Sequence, residues 1–117
     1  MEHVADLIDV SWPSTRSFVV VHLFGELDVA STPELRRRLT MLISDGCVRL
    51  VLDADSLQFI DAAGIGALVY ASNQARAAGG WIRLIGVKPA HRRLLMLLRL
   101  GRQLPMREDL QDALREA

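Results

Sequence analysis

Phe59-Ile60-Asp61-Ala62-Ala63-Gly64-Ile65-Gly66 reads as the place where a buried strand gives way to a helix. Upstream of it, Val48-Arg49-Leu50-Val51-Leu52 is almost continuously apolar, as a central parallel strand covered on both faces must be. Downstream, Ile65, Leu68, Val69 and Ser72 recur at helical spacing. Asp61 therefore falls at an N-cap, where its carboxylate accepts from the unpaired N–H groups of the first turn. Ala62, Ala63, Gly64 and Gly66 are all small, so the helix start is bare and the positive end of its dipole faces outward. Two readings fit: a docking or anion site, or a plain cap whose glycines let helix and sheet pack closely. An Asp before a helix is common, and on the residues alone the plain cap is the reading to favour.

A chain of 117 residues is expected to form a single domain over residues 1–117, long enough for one core and too short for two. Half of its residues (50%) are hydrophobic, a proportion that a folded domain buries and a disordered chain lacks. Lys plus Arg equals Asp plus Glu at 14 each, so no global field recruits nucleic acid or anionic lipid, and direct nucleic-acid binding is not expected. Met1 to Asp6 shows no basic segment leading into an apolar run, so no secretory signal is expected. No apolar stretch approaches the ~20 residues of a spanning helix, and no membrane insertion is expected. The single Cys47 allows no internal disulfide and no multi-cysteine metal site, in keeping with a reducing, cytoplasmic setting. Following Gly46 at a strand entrance, it reads as a packed and inert thiol.

In chain order, Val4 to Val10 alternates weakly and is expected to be a first strand, ended by Pro13-Ser14-Thr15 as a hairpin connection. Phe18 to Phe24 is rich in β-branched and aromatic residues and makes the second strand, antiparallel to the first. His22 interrupts this run with no second metal-binding residue spaced to join it, so it reads as a half-exposed or hydrogen-bonded strand residue without chemistry. Gly25-Glu26-Leu27-Asp28 reads as a glycine turn carrying two carboxylates, and Thr32-Pro33-Glu34 as N-cap, first helical residue and early acid. Leu35, Leu39, Leu42 and Ile43 form the buried stripe of that helix. Arg36, Arg37 and Arg38 spread around it, as a solvated surface rather than a phosphate clamp would.

Asp45-Gly46 closes the helix and the central strand runs from Val48 to Ala54. Gly79-Gly80 stops the helix that begins at Asp61, and Trp81 to Ile85 is the next strand. After the short connection Gly86 to Pro89, Ala90 to Leu100 reads as a helix ended by Gly101. Met96 and the leucines at 94, 95, 97, 98 and 100 make it apolar around more than one core-facing stripe, so part of it should be covered by the tail or by a partner. Leu104 is expected in a short edge strand, and Leu110, Ala113 and Leu114 on a last small helix opened by Asp109. There is no internal repeat.

Strands and helices alternating in short units define an α/β domain. Its sheet is expected to be mixed but mostly parallel, with right-handed crossovers, an N-terminal antiparallel hairpin and flanking helices. In such sheets the loops beyond the carboxyl ends of the strands carry function. Gly25 to Asp28 and Gln58 to Gly64 are loops of that kind. If their strands are near neighbours, Glu26, Asp28 and Asp61 converge on one rim. Such a cluster fits a magnesium ion, or equally a set of helix caps and an acidic docking surface. Catalysis is disfavoured, because nothing nearby offers a nucleophile or an oriented histidine and no Walker-type phosphate loop is present. Neither an enzyme nor a cofactor is expected.

Two segments, Gly25-Glu26-Leu27-Asp28-Val29-Ala30-Ser31-Thr32-Pro33-Glu34-Leu35 and Leu50-Val51-Leu52-Asp53 with Phe59-Ile60-Asp61-Ala62-Ala63-Gly64-Ile65-Gly66, together resemble the STAS family, the anti-sigma factor antagonists. The similarity extends to Gly79-Gly80 before a strand and Val87-Lys88-Pro89 before a leucine-rich helix, so it covers nearly the whole chain. The resemblance implies a small cytoplasmic bacterial domain that binds an anti-sigma factor of the serine-kinase type and so frees a sigma factor for transcription. Partner binding is expected to centre on the rim formed by Glu26, Asp28 and the turn Asp61, Ala62, Ala63, Gly64, where the small residues of the helix start let a partner approach the backbone closely.

In that family the residue after the capping aspartate is typically a serine that the kinase phosphorylates to switch binding off. Here the matching position is Ala62, and Ala63 follows, so neither offers a hydroxyl. The fold is compatible with alanine at the first helical positions, and the phospho-switch is not. Three origins stay open: an antagonist without a switch, a member with another role, or a deliberate Ser-to-Ala replacement. An interaction module acting on a sigma-factor regulator ranks first. A cytoplasmic STAS subunit or scaffold of a membrane transport system is the alternative, followed by a small enzyme and a nucleotide-binding sensor.

Overall fold

The strand expected around Leu50 is β4 (Arg49–Asp53), the third member of a four-stranded sheet in the order β1-β2-β4-β6. Here β1 is Ile8–Ser11, β2 is Val19–Leu23 and β6 is Trp81–Ile85 in a computed structural model that describes residues 7–12 and 17–115. β1 runs antiparallel to β2, whereas β2, β4 and β6 are parallel, so the mixed sheet with an antiparallel start is present as expected. The expected strand residues 4–6 and the connection at Pro13-Ser14-Thr15 lie outside the described residues.

Because successive side chains of a strand point to opposite faces, β4 feeds two cores. Leu50 and Leu52 face the larger one, with Val19, Val21 and Leu23 of β2 and with Ile82 and Leu84 of β6. That face is covered by α1 (Thr32–Ser44) through Leu35, Leu39 and Ile43, and by α2 (Ala62–Ala77) through Ile65, Leu68, Ala71 and Ala75. Val51 and Val20 face the other side, against Ala113 of α4 (Leu110–Ala113), Trp81 and Ile85. Covering on both sides is why the strand reads as an unbroken apolar run.

Two segments expected as loops are strands. Gly25–Leu27 is β3 and Leu57–Ile60 is β5, and the two pair in parallel as a small second sheet. Gly25, at φ +69°, turns the chain out of β2 into β3, so the glycine was read correctly and its consequence was not. At three and four residues these strands are too short for alternation to identify them.

Other boundaries shift by local capping. α1 has Ser31 as its N-cap, with Thr32 already helical and its hydroxyl donating to the Asp28 carbonyl at 2.7 Å. The helix expected to reach Leu100 is α3 (Pro89–Leu97), which ends early because Arg99 adopts a left-handed backbone at φ 57°. Leu104 is not in an edge strand but fully buried in the main core. The edge of β6 is met two residues later, where the Leu84 N–H donates to Pro105 and the Arg107 N–H donates to Leu84, both at 2.8 Å. Buried Ser72 donates its hydroxyl to the Gln103 carbonyl, tying α2 to this segment. The capping of α4 by Asp109 is as expected, its carboxylate accepting from the Asp112 N–H at 2.8 Å.

Candidate functional site

The β3–β5 ladder brings the two sequence-predicted segments together. Glu26 is registered opposite Phe59 and Leu27 opposite Ile60, and the Asp61 N–H donates to the Leu27 carbonyl at 3.1 Å. The end of β3 is thereby stitched to the start of α2. Asp61 caps that helix as expected: its backbone is extended, and its carboxylate accepts from the Gly64 N–H at 3.1 Å. Its carbonyl takes the first helical bond, from the Ile65 N–H at 2.9 Å.

The three acids of the rim do different work. Asp28 is held in the turn before α1, where its carboxylate accepts from the Ser31 N–H at 3.0 Å and its N–H donates to the Ser31 hydroxyl at 2.9 Å. Asp61 is committed to its cap. Glu26 is exposed and points its charge away from the fold. Among the described residues no three acidic, histidine or cysteine side chains gather as a metal site requires, so the magnesium reading has no geometric support. The arrangement is one of turn-holding carboxylates and an outward acid beside a bare helix start.

That start offers backbone more than side chain. Ala62 is exposed, Ala63 half-buried and Gly64 buried. Sequence reasoning missed the apolar flank: Val29, directly after Asp28, is 73% exposed, and Phe59, opposite Glu26, is 46% exposed. The signal was available for Val29, an apolar residue in a loop with no periodic partner. It was hidden for Phe59, because the four-residue β5 is too short for alternation to show which of its side chains face out.

His22 is half-exposed and hydrogen-bonded, as expected, but with partners that its sequence position conceals. Its Nδ1 lies 3.1 Å from Asp53 Oδ2 and its Nε2 lies 3.1 Å from the Ser11 hydroxyl. The three belong to β2, β4 and β1 and share the sheet face with Val20 and Val51, away from α1 and α2. The chain of hydrogen bonds ties an edge strand to the centre of the sheet. Cys47 is a free, half-buried thiol packed against the main core, as expected.

Comparison with known proteins adds what geometry cannot. A family model described as the STAS domain matches residues 10–113. The anti-sigma F factor antagonist of Lysinibacillus sphaericus is 30% identical over 88 residues, which cover 74% of this chain and 75% of that protein. The anti-sigma F factor antagonist of Paenibacillus polymyxa is 29% identical over 102 residues, covering 86% and 87%. Among solved structures, an anti-sigma factor antagonist from Mycobacterium paratuberculosis superposes with a TM-score of 0.77 at 26% identity, over 93% of this chain and 92% of that one.

Proposed function

The chain belongs to the STAS domain family, and from that premise we propose that it is an anti-sigma factor antagonist that lacks the phosphorylation switch. In this reading it binds an anti-sigma factor of the serine-kinase type through Glu26, Asp28 and the turn Asp61, Ala62, Ala63, Gly64, and the sigma factor is released. The observation that carries the reading is the exposed Ala62 at the first position of α2, in a chain whose curated relatives are named as anti-sigma factor antagonists. Those names also favour it over the transport-subunit alternative and over an enzyme.

Physically, the rim suits protein docking. Small residues at the helix start let a partner's backbone approach the unpaired N–H end of α2, exposed Glu26 offers a charge for orientation, and Phe59 and Val29 supply apolar area beside it. With no hydroxyl at residues 62 and 63, the partner kinase has nothing to modify there. Binding is then governed by concentration alone. The test is to titrate the domain with the anti-sigma kinase of its own cell in the presence of ATP, following affinity and phosphate incorporation together. Saturable binding without label at residues 62 or 63 is expected. Stoichiometric label on Ser56 overturns the view that the switch is lost.

A further inference from the structure

The zero net charge of the chain conceals a segregation. Between Asp61 and Glu108 the sequence contains no acidic residue at all, while Lys88 at the N-cap of α3, Arg92 and Arg93 on it, and Arg99 and Arg102 just after it are all basic. All five side chains are exposed, and neither of the two salt bridges among the described residues involves them. At the carboxyl end of the same helix three consecutive apolar residues stand in solvent: Met96 is 61% exposed, Leu97 74% and Leu98 48%. Beside them, Pro89, Arg92, Arg93, Met96 and Leu97 line an open groove of ≈ 480 Å³.

We infer that the tip of α3 docks this domain onto an anionic membrane surface, with Met96, Leu97 and Leu98 entering the headgroup–acyl boundary and the surrounding arginines meeting lipid phosphates. Two observations select this occupant. Consecutive helical residues are about 100° apart, so the three apolar side chains fan over about 200° of the helix end. A partner helix covers one stripe and leaves part of that fan wet, whereas a fluid acyl layer closes around a protruding tip. The charges then fit the same geometry. Arg92 and Arg93 lie one turn before the tip and line the groove beside it, and exposed Arg99 and Arg102 follow it in the chain, so basic residues flank the apolar ones on both sides in sequence with no acidic residue among them from 62 to 107. The docking is peripheral, since no helix among the described residues is long and apolar enough to cross a bilayer. It is independent of the antagonist reading, because none of these residues belongs to the rim at Glu26 and Asp61.

The test is co-sedimentation of the full chain with vesicles of equimolar phosphatidylglycerol and phosphatidylcholine, against vesicles of phosphatidylcholine alone. Binding to the anionic vesicles is expected, weakening steeply as salt is raised. Leu97→Glu, and separately the pair Arg92→Glu and Arg93→Glu, should each reduce it at least tenfold. Met41→Glu, at an exposed apolar position on α1 (51%), should leave it unchanged. Because all of these side chains are exposed, circular dichroism should show each variant folded. No sedimentation with anionic vesicles overturns the inference, as does equal sedimentation of the parent and Leu97→Glu, which would mean charge without insertion. Capture of an acidic amphipathic peptide in the absence of vesicle binding overturns it in favour of a protein partner.

Discussion

Gly64, in the first turn of α2, lies so close to Leu27 at the end of β3 that a Cβ built on it would stand 2.7 Å from the Leu27 Cβ and overlap the Leu27 carbonyl oxygen. That oxygen already accepts from the Asp61 N–H, so neither partner can move without breaking the stitch between strand and helix. Gly64→Ala should therefore destabilise the domain, by about 1–3 kcal/mol as overpacking does. Gly66, two residues further along α2 and with nothing within 4 Å of its Cβ position, supplies the contrast. Gly66→Ala should be neutral or stabilising by up to about 1 kcal/mol, the helix-propensity difference. Urea denaturation of both variants decides, and equal midpoints would mean the approach at Gly64 is slack.

His22 couples β1 to β4, and the coupling should be measurable. His22→Ala should cost about 0.5–1.5 kcal/mol, a typical net hydrogen bond for a partly exposed group. Asp53→Ala should cost more, because Asp53 Oδ1 also accepts from the Asp55 N–H at 3.0 Å. A double-mutant cycle in chemical denaturation isolates the shared part. Strict additivity would show that the two side chains are merely adjacent.

His91, at the third position of α3, has a buried Nδ1 with no hydrogen-bond partner. Burial, and secondarily the charge of Lys88, hold its pKa below the ordinary histidine value. The unfolded chain then binds a proton more readily than the folded one, so this group's contribution is complete above the unfolded pKa of about 6.5 and is lost as pH falls through the folded value. His91→Leu should flatten the dependence of unfolding free energy on pH below about 6.5. An unchanged slope would assign the acid sensitivity to other groups.

Much of this architecture was legible because it rests on patterns that sequence displays. The unbroken run Leu50-Val51-Leu52 required two covers, and Asp61 before a run of small residues required a cap. What stayed hidden was set by contacts between distant segments. β3 and β5 are strands only because they pair with each other, and neither has the length to declare itself. His22 gained its partners from Ser11 and Asp53, which lie 11 and 31 residues away. Leu104, expected in a short edge strand, instead fills the core, and Met106 makes the bridge to Leu84. At the candidate site the acids were found and the apolar flank of Val29 and Phe59 was not.

If partner binding centres on the start of α2, bulk there should exclude the partner. Ala63→Arg places a long cation over the half-buried first turn and should weaken binding to the anti-sigma factor by more than tenfold, in line with the ~2 kcal/mol or more carried by central interface positions. Isothermal titration calorimetry of the folded variant gives the answer. Undiminished affinity would move the interface away from the rim.

The central claim is that Ala62 removes a switch and leaves the binding surface intact, and Ala62→Ser tests it most directly. The substitution costs only a few tenths of a kcal/mol in helix propensity, so the fold should persist. Phosphorylation of the introduced hydroxyl would add a charge of about −1.5 to −2 beside Asp61 and Glu26, and a partner fitted to a small neutral surface would meet both bulk and repulsion. The measurement is phosphate incorporation and affinity, made together, for the parent chain and the Ala62→Ser variant with the anti-sigma kinase of the same cell and ATP. The account predicts that both forms bind, that only the variant is labelled, and that its affinity falls as label accumulates. A kinase that neither binds nor labels either form, or that labels the variant without loss of affinity, would contradict it.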